Sequence, residues 1–185
     1  MKILVVSGSL RRESYNSALA RAAAELAPRG VEIELYDGLG EVPLFDDDID
    51  GENAPRAVIE LRERIAGADA VFIVTPEYNG SVPGVLKNAI DWASRPPRGE
   101  AALWGKTVAI AGASTGQYGA MWAQQDLRRI LGIAGARVIA GEVPVARAHE
   151  KFDEDGALID APLQERLGIH LGALVAEAAP LLVAA

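Results

Sequence analysis

Three stretches of this sequence concentrate hydroxyls, amides and glycine of the kind that hold a ligand. Gly8-Ser9-Leu10-Arg11-Arg12-Glu13-Ser14-Tyr15-Asn16-Ser17 places hydroxyls and arginine just ahead of an expected helix. Hydroxyls, a guanidinium and the free N–H groups of a helix start together make a phosphate site. The spacing is not Gly-x-Gly-x-x-Gly, which favours a mononucleotide phosphate over a pyrophosphate. Thr75-Pro76-Glu77-Tyr78-Asn79-Gly80-Ser81-Val82-Pro83-Gly84 has two prolines and two glycines, which shape an irregular backbone, and a tyrosine with a flat apolar face and a polar tip. Gly112-Ala113-Ser114-Thr115-Gly116 is the third stretch.

Other matches carry less. Gly112 to Gly116 fits Gly-x-Ser-x-Gly, and Asp153, Asp155 or Asp160 followed by His170 completes the chain order of a serine hydrolase. His170 falls inside an expected helix, however, away from the ligand end of a sheet. Gly99 to Thr107 is a mis-spaced P-loop that precedes a strand instead of following one. The acidic runs Asp46-Asp47-Asp48 and Asp153–Asp155 lack calcium-loop spacing and read as solvated turns, so no metal is expected.

The elements that must position these loops follow from apolar patterning. Lys2–Val6, Ala70–Val74 and Lys106–Ala111 are near-continuous apolar runs, the pattern of strands covered on both faces. Val31–Tyr36 alternates and reads as an edge strand, and Arg137–Val145 as a fifth strand broken near Gly141. Helices are expected over Ser17–Leu26 (N-cap Ser14 or Asn16), Ala54–Ala66, Val85 to about Ser94, Trp122–Leu131 and Leu163–Leu182. Strands and helices alternate, which implies a parallel sheet with helices on both faces and one domain over 1–185. Each ligand-type stretch then follows a strand, where open α/β sheets bind ligands. Residues 37 to 53, longer than a usual βα loop, form a polar connection, and 95–100 a rigid surface connector.

The net charge of −8 argues against nucleic acid or an acidic membrane surface as partner. The chain has no cysteine, which excludes disulfides and thiol catalysis. No leader pattern or membrane-length apolar run is visible, so a cytoplasmic location is expected.

The three stretches together resemble the NAD(P)H-dependent FMN reductase family. The resemblance rests on Gly8-Ser9-Leu10-Arg11-x-x-Ser14-x-Asn16, on the long run Pro76-Glu77-Tyr78-Asn79-x-Ser81-x-Pro83-Gly84-x-Leu86-Lys87-Asn88-Ala89-Ile90-Asp91-Trp92, and more loosely on Gly112–Gly119 with Gln125 to Arg128 and on Phe152–Gly156. It implies a flavodoxin-like three-layer α/β sandwich with a five-stranded parallel sheet of order 2-1-3-4-5. It further implies bound FMN, NADPH or NADH as electron donor, and a small acceptor such as a quinone, free flavin, azo compound or metal oxyanion, served in ping-pong fashion. Ser9, Leu10, Arg11, Ser14, Asn16 and Ser17 would then hold the FMN phosphate. Pro76, Glu77, Tyr78 and Asn79 would line the ring edge, and Ser114 and Gly116 would close the other side. Chemistry would sit on the flavin, with no catalytic side chain. A homodimer or homotetramer is expected, with Trp92, Met121 and Trp122 as contact candidates, the alternative being that they pack in the core of a single chain. Relatives often carry Gly-Gly-x-Arg where this chain has Gly119-Ala120-Met121-Trp122. A flavodoxin-type electron carrier would share fold and FMN, but Arg11 in the phosphate loop favours a reductase.

Overall fold

In the computed structural model, which describes residues 1–51, 54–96 and 99–179, the apolar runs form the inner strands of one parallel sheet. Strands β3 (Ala70–Val74) and β4 (Thr107–Ala113) are buried at every position, and β1 (Lys2–Ser7) at its four central ones. The alternating β2 (Glu32–Tyr36) takes the edge beside β1. The order is β2-β1-β3-β4-β5, all pairs parallel, with β5 (Arg137–Val138) and β6 (Val143–Val145) both pairing β4. These last two are one fifth strand in two pieces, the expected break falling at residues 139–142 with Gly141 at φ 78°.

Alternation along the inner strands divides the core in two. Ile3, Val5, Phe72 and Ala109 face α1 (Tyr15–Glu25) and α5 (Ala161–Ala178). Leu4, Val6, Val71, Ile73 and Ile110 face α2 (Arg56–Gly67), α3 (Gly84–Ala93) and α4 (Met121–Ile133). Val108 O accepts from Ile139 N–H just before the break, and β4 pairs with β6 again from Ala111 opposite Val143. Between these two pairings His170 of α5 reaches β4, with Nε2 at 3.1 Å from Ile110 O. A carbonyl only accepts, so this nitrogen carries the proton, and burial holds the imidazole below its usual pKa in the neutral form.

Two expectations are corrected. Trp92 is fully buried, with its Nε1–H donating to Pro43 O at 2.8 Å and its ring meeting Phe45 edge-on, so it serves the core and not a subunit contact. Asn88 adds a donor to Pro43 O and an acceptor for Phe45 N–H, which clamps part of the long connection onto α3. Strand β4 runs two residues further than expected, through Gly112 and Ala113. Gly112 is required there, because a Cβ would lie 2.7 Å from Thr75 O. Residues 180–182 of the expected last helix, 52–53 of the long connection and 97–98 of the rigid connector lie outside the described residues.

Candidate functional site

The carboxyl ends of β1, β3 and β4 bring the three stretches together. Ser14 caps α1 from an extended backbone, its Oγ accepting the Asn16 N–H at 3.2 Å. The N–H groups of Tyr15 and Ser17, also in the first turn, have no acceptor among the described residues. Around them runs a chain of hydroxyls: Ser7 and Ser17 Oγ atoms are 3.0 Å apart, Ser9 N–H donates to Ser7 Oγ and Arg11 N–H to Ser9 Oγ. Arg11 itself forms no ion pair among the described residues.

Asn16 ties the first stretch to the third. Its Nδ2–H donates to Ala113 O at 3.0 Å and its Oδ1 accepts Ala113 N–H at 2.8 Å, all buried. Both sides of the amide are thus engaged with the backbone of one residue at the end of β4. The third stretch is held from beyond as well. Ser114 N–H donates to Val145 O, Ser114 O accepts from Ala148 N–H, and Ser114 Oγ accepts Gly116 N–H at 3.0 Å. Gly119, at φ 59°, closes against β6 so tightly that a Cβ would lie 2.6 Å from Val145 N.

The second stretch folds as a tight hairpin. Tyr78 and Ser81 exchange both backbone hydrogen bonds, and Asn79 and Gly80 between them have φ of 53° and 76°. Asn-Gly with both residues at positive φ is the signature of a two-residue hairpin turn, a signal present in the sequence at residues 79–80. Ser81 Oγ donates to Asp126 on α4, and Glu77 Oε2 accepts Ala123 N–H at 3.1 Å. Glu77 thereby caps α4, whose own N-cap residue, Ala120, offers no side-chain acceptor. Among the described residues, the three non-glycine residues at positive φ are Asn79, Ala120 and Arg147, and all lie in segments that build this end of the sheet. Strain of this kind collects where surrounding structure holds a site in shape.

The result is an open cleft of about 170 Å³. Ser9, Arg11, Ser14 and Asn16 line it from the first stretch, Pro76, Glu77 and Tyr78 from the second, and Ser114 from the third. Leu10 and Ser17 line an adjoining groove that shares Ser9 and Arg11. Asn79 and Gly116 line neither and serve their turns. Tyr15, Ala113 and Thr115 also line the cleft and were not singled out from sequence. Tyr15 stands between the Phe152 ring at 5.7 Å and the Arg11 guanidinium at 6.0 Å.

A hydrolase triad is not assembled. His170 is bonded to Ile110 O, four residues before Ser114 on β4, or about 13 Å of extended strand. Asp153 accepts the N–H groups of Asp155 and Ala157, and Asp160 caps α5 and pairs with Lys151, so neither orients an imidazole.

A doubly wound parallel sheet of order 2-1-3-4-5, with a cleft over the ends of its first, third and fourth strands, defines a flavodoxin-like α/β protein. Residues 1–150 match the model of the NADPH-dependent FMN reductase family, and the chain belongs to that family of oxidoreductases. It is 46% identical over 175 residues to an NAD(P)H-dependent FMN reductase of Pseudomonas aeruginosa, covering 94% of this chain and 93% of that one. It is 43% identical over 140 residues to a quinone reductase of Escherichia coli, covering 75% and 73%. Among solved structures, FerB, a flavoenzyme NAD(P)H:(acceptor) oxidoreductase from Paracoccus denitrificans, superposes with a TM-score of 0.86 at 36% identity over 96% of this chain and 97% of that one.

Proposed function

We propose that this protein is an NAD(P)H oxidoreductase that binds FMN in the cleft and passes electrons from the reduced nicotinamide to a small acceptor of the quinone or flavin class, azo compounds and metal oxyanions being further candidates. The observation that carries the reading is the donor set at the start of α1. Two N–H groups and an arginine without partners among the described residues lie with a chain of hydroxyls at one helix N-terminus, which suits a phosphate dianion. The residues present therefore fit a phosphorylated flavin.

The roles divide by what each side chain already touches. Ser9, Arg11, Ser14 and Ser17 with the α1 N–H groups hold the phosphate. Asn16 is a positioning residue, since its amide is engaged with Ala113, and it sets the distance between the phosphate loop and the third loop. Pro76, Glu77 and Tyr78 line the ring on one edge, with the backbone stiffened by the Asn79-Gly80 turn, and Ser114 bounds the other, its loop stiffened by Gly116. FMN held there would supply the two-electron redox chemistry between the reduced nicotinamide and the acceptor. The protein need then move no proton through a side-chain pair: Ser114 and Glu77 are each occupied by a backbone N–H. Donor and acceptor would use the same open face in turn, which is ping-pong behaviour.

The exposed Tyr118, Met121 and Trp122 beside the cleft suit a homodimer or homotetramer contact. Steady-state oxidation of NADPH with a quinone tests the reading. Parallel double-reciprocal lines are expected; no turnover by the FMN-loaded protein with either nucleotide would leave an electron carrier of the flavodoxin type.

A further inference from the structure

Beside the cleft, between α1 and the carboxyl end of edge strand β2, lies a groove of about 370 Å³. Its apolar walls include Leu10 and Leu35, which are 56% and 44% exposed. Large apolar side chains facing water in a concave site are more informative than scattered ones. Around the same groove stand Arg11, Arg12 and Arg21. None of the three forms an ion pair among the described residues, and Asp37 is the one carboxylate that lines the groove. On their other side the same three arginines line a depression with Glu13, Asp153, Glu154 and Asp155, so they stand on the ridge between an acidic turn and the groove. Apolar walls beside guanidinium groups that form no ion pair among the described residues match a nucleoside carrying phosphate.

The groove is continuous with the cleft. Ser9 and Arg11 line both, so a ligand leaving the cleft over the phosphate loop enters the groove directly. An extended dinucleotide whose nicotinamide end reacts in the cleft must place its adenosine end elsewhere. We infer that this groove is the adenosine 2′-phosphate subsite of the electron donor, with Arg12 and Arg21 as the residues that select NADPH over NADH. The inference rests on the reductase reading for the identity of the dinucleotide, while the groove's affinity for a 2′-phosphorylated adenosine is separable from it. Arg12 and Arg21 are both exposed and lie outside the cleft that receives FMN, so their substitution leaves the flavin site in place.

The test uses FMN-loaded protein, in which the first phosphate site is filled, and the probe 2′,5′-ADP. Calorimetry should show it binding the parent and weakening about ten- to hundredfold in Arg12→Gln/Arg21→Gln, the range for losing charge-assisted hydrogen bonds to phosphate. In steady state the KM for NADPH should rise by a similar factor with kcat little changed, while KM and kcat for NADH and the Kd for FMN stay as in the parent. Arg21→Glu alone should act in the same direction. Equal affinity of parent and variant for 2′,5′-ADP would overturn the assignment, as would equal rises in KM for NADPH and NADH. Inorganic phosphate or 3′,5′-ADP binding as tightly as 2′,5′-ADP would reduce the groove to a non-selective anion patch and overturn it too. A protein that passes the calorimetric test but never binds FMN would defeat the reductase reading and leave the subsite standing.

Discussion

Replacing Asn16 probes the joint on which the cleft depends. Asn16→Ala removes the hydrogen bonds at 3.0 and 2.8 Å to Ala113 and leaves that residue's N–H and C=O buried without partners. Each lost bond is worth a net ~0.5–1.5 kcal/mol, and a buried polar group stripped of its partner costs ~1–3 kcal/mol, so a total of roughly 2–5 kcal/mol is expected. Urea unfolding of the apo-protein reads this directly. The same change frees the third loop from the phosphate loop, so FMN affinity of the still-folded fraction should fall as well. Asn16→Asp separates the two effects. It keeps an acceptor for Ala113 N–H but opposes a carboxylate to Ala113 O and adds negative charge beside the phosphate site, so FMN binding should suffer more from it than from alanine. A stability loss below about 0.5 kcal/mol for Asn16→Ala, within the scatter of ordinary surface changes, would refute the assignment of Asn16 as the tie.

Further outcomes follow from other contacts. Arg11→Ala should raise the Kd for FMN about ten- to hundredfold, the effect of losing a charged hydrogen bond, with riboflavin binding unchanged because it lacks the phosphate; equal weakening of both ligands in parallel titrations would mean that Arg11 shapes the loop instead. Gly119→Ala should destabilise the fold by more than ~1–2 kcal/mol in urea, since the left-handed backbone strain is joined by a clash with Val145 N. His170 is held below its usual pKa when folded, so the unfolded chain binds the extra proton first. Its stabilising contribution is complete above the unfolded pKa of about 6.5 and declines as pH falls from there toward the folded pKa. His170→Gln keeps a donor for Ile110 O but should flatten that part of the stability–pH curve. Trp122→Glu should shift the molecular mass seen in sedimentation toward the monomer if the exposed face of α4 carries the subunit contact.

Much of the fold was legible because its signals are local. Ala70–Val74 is a strand because five consecutive apolar residues fit only a position covered on both faces, and Val31–Tyr36 took the edge because it alternates. The loops that make the cleft were legible from composition and from their place after strands. Their joints were not. Asn16 reads as a ligand-type amide, and nothing in the chain indicates that its partner is Ala113, ninety-seven residues away. Glu77 likewise caps α4 from another loop, a long-range bond that replaces the missing local cap at Ala120. Trp92 lies on a helix face whose partner, the Pro43–Phe45 segment, has no periodic pattern to announce it. The end of β4 moved for a similar reason: Gly112 looks like loop composition but is strand backbone pressed against Thr75.

The most direct measurement is anaerobic titration of the FMN-loaded protein with NADPH, followed by a quinone. The account predicts that one equivalent of NADPH bleaches the visible flavin absorbance and that one equivalent of quinone restores it, with no ternary complex needed. Flavin that binds tightly yet keeps its oxidised spectrum through excess NADPH and NADH would contradict the assignment of this cleft as a reductase site.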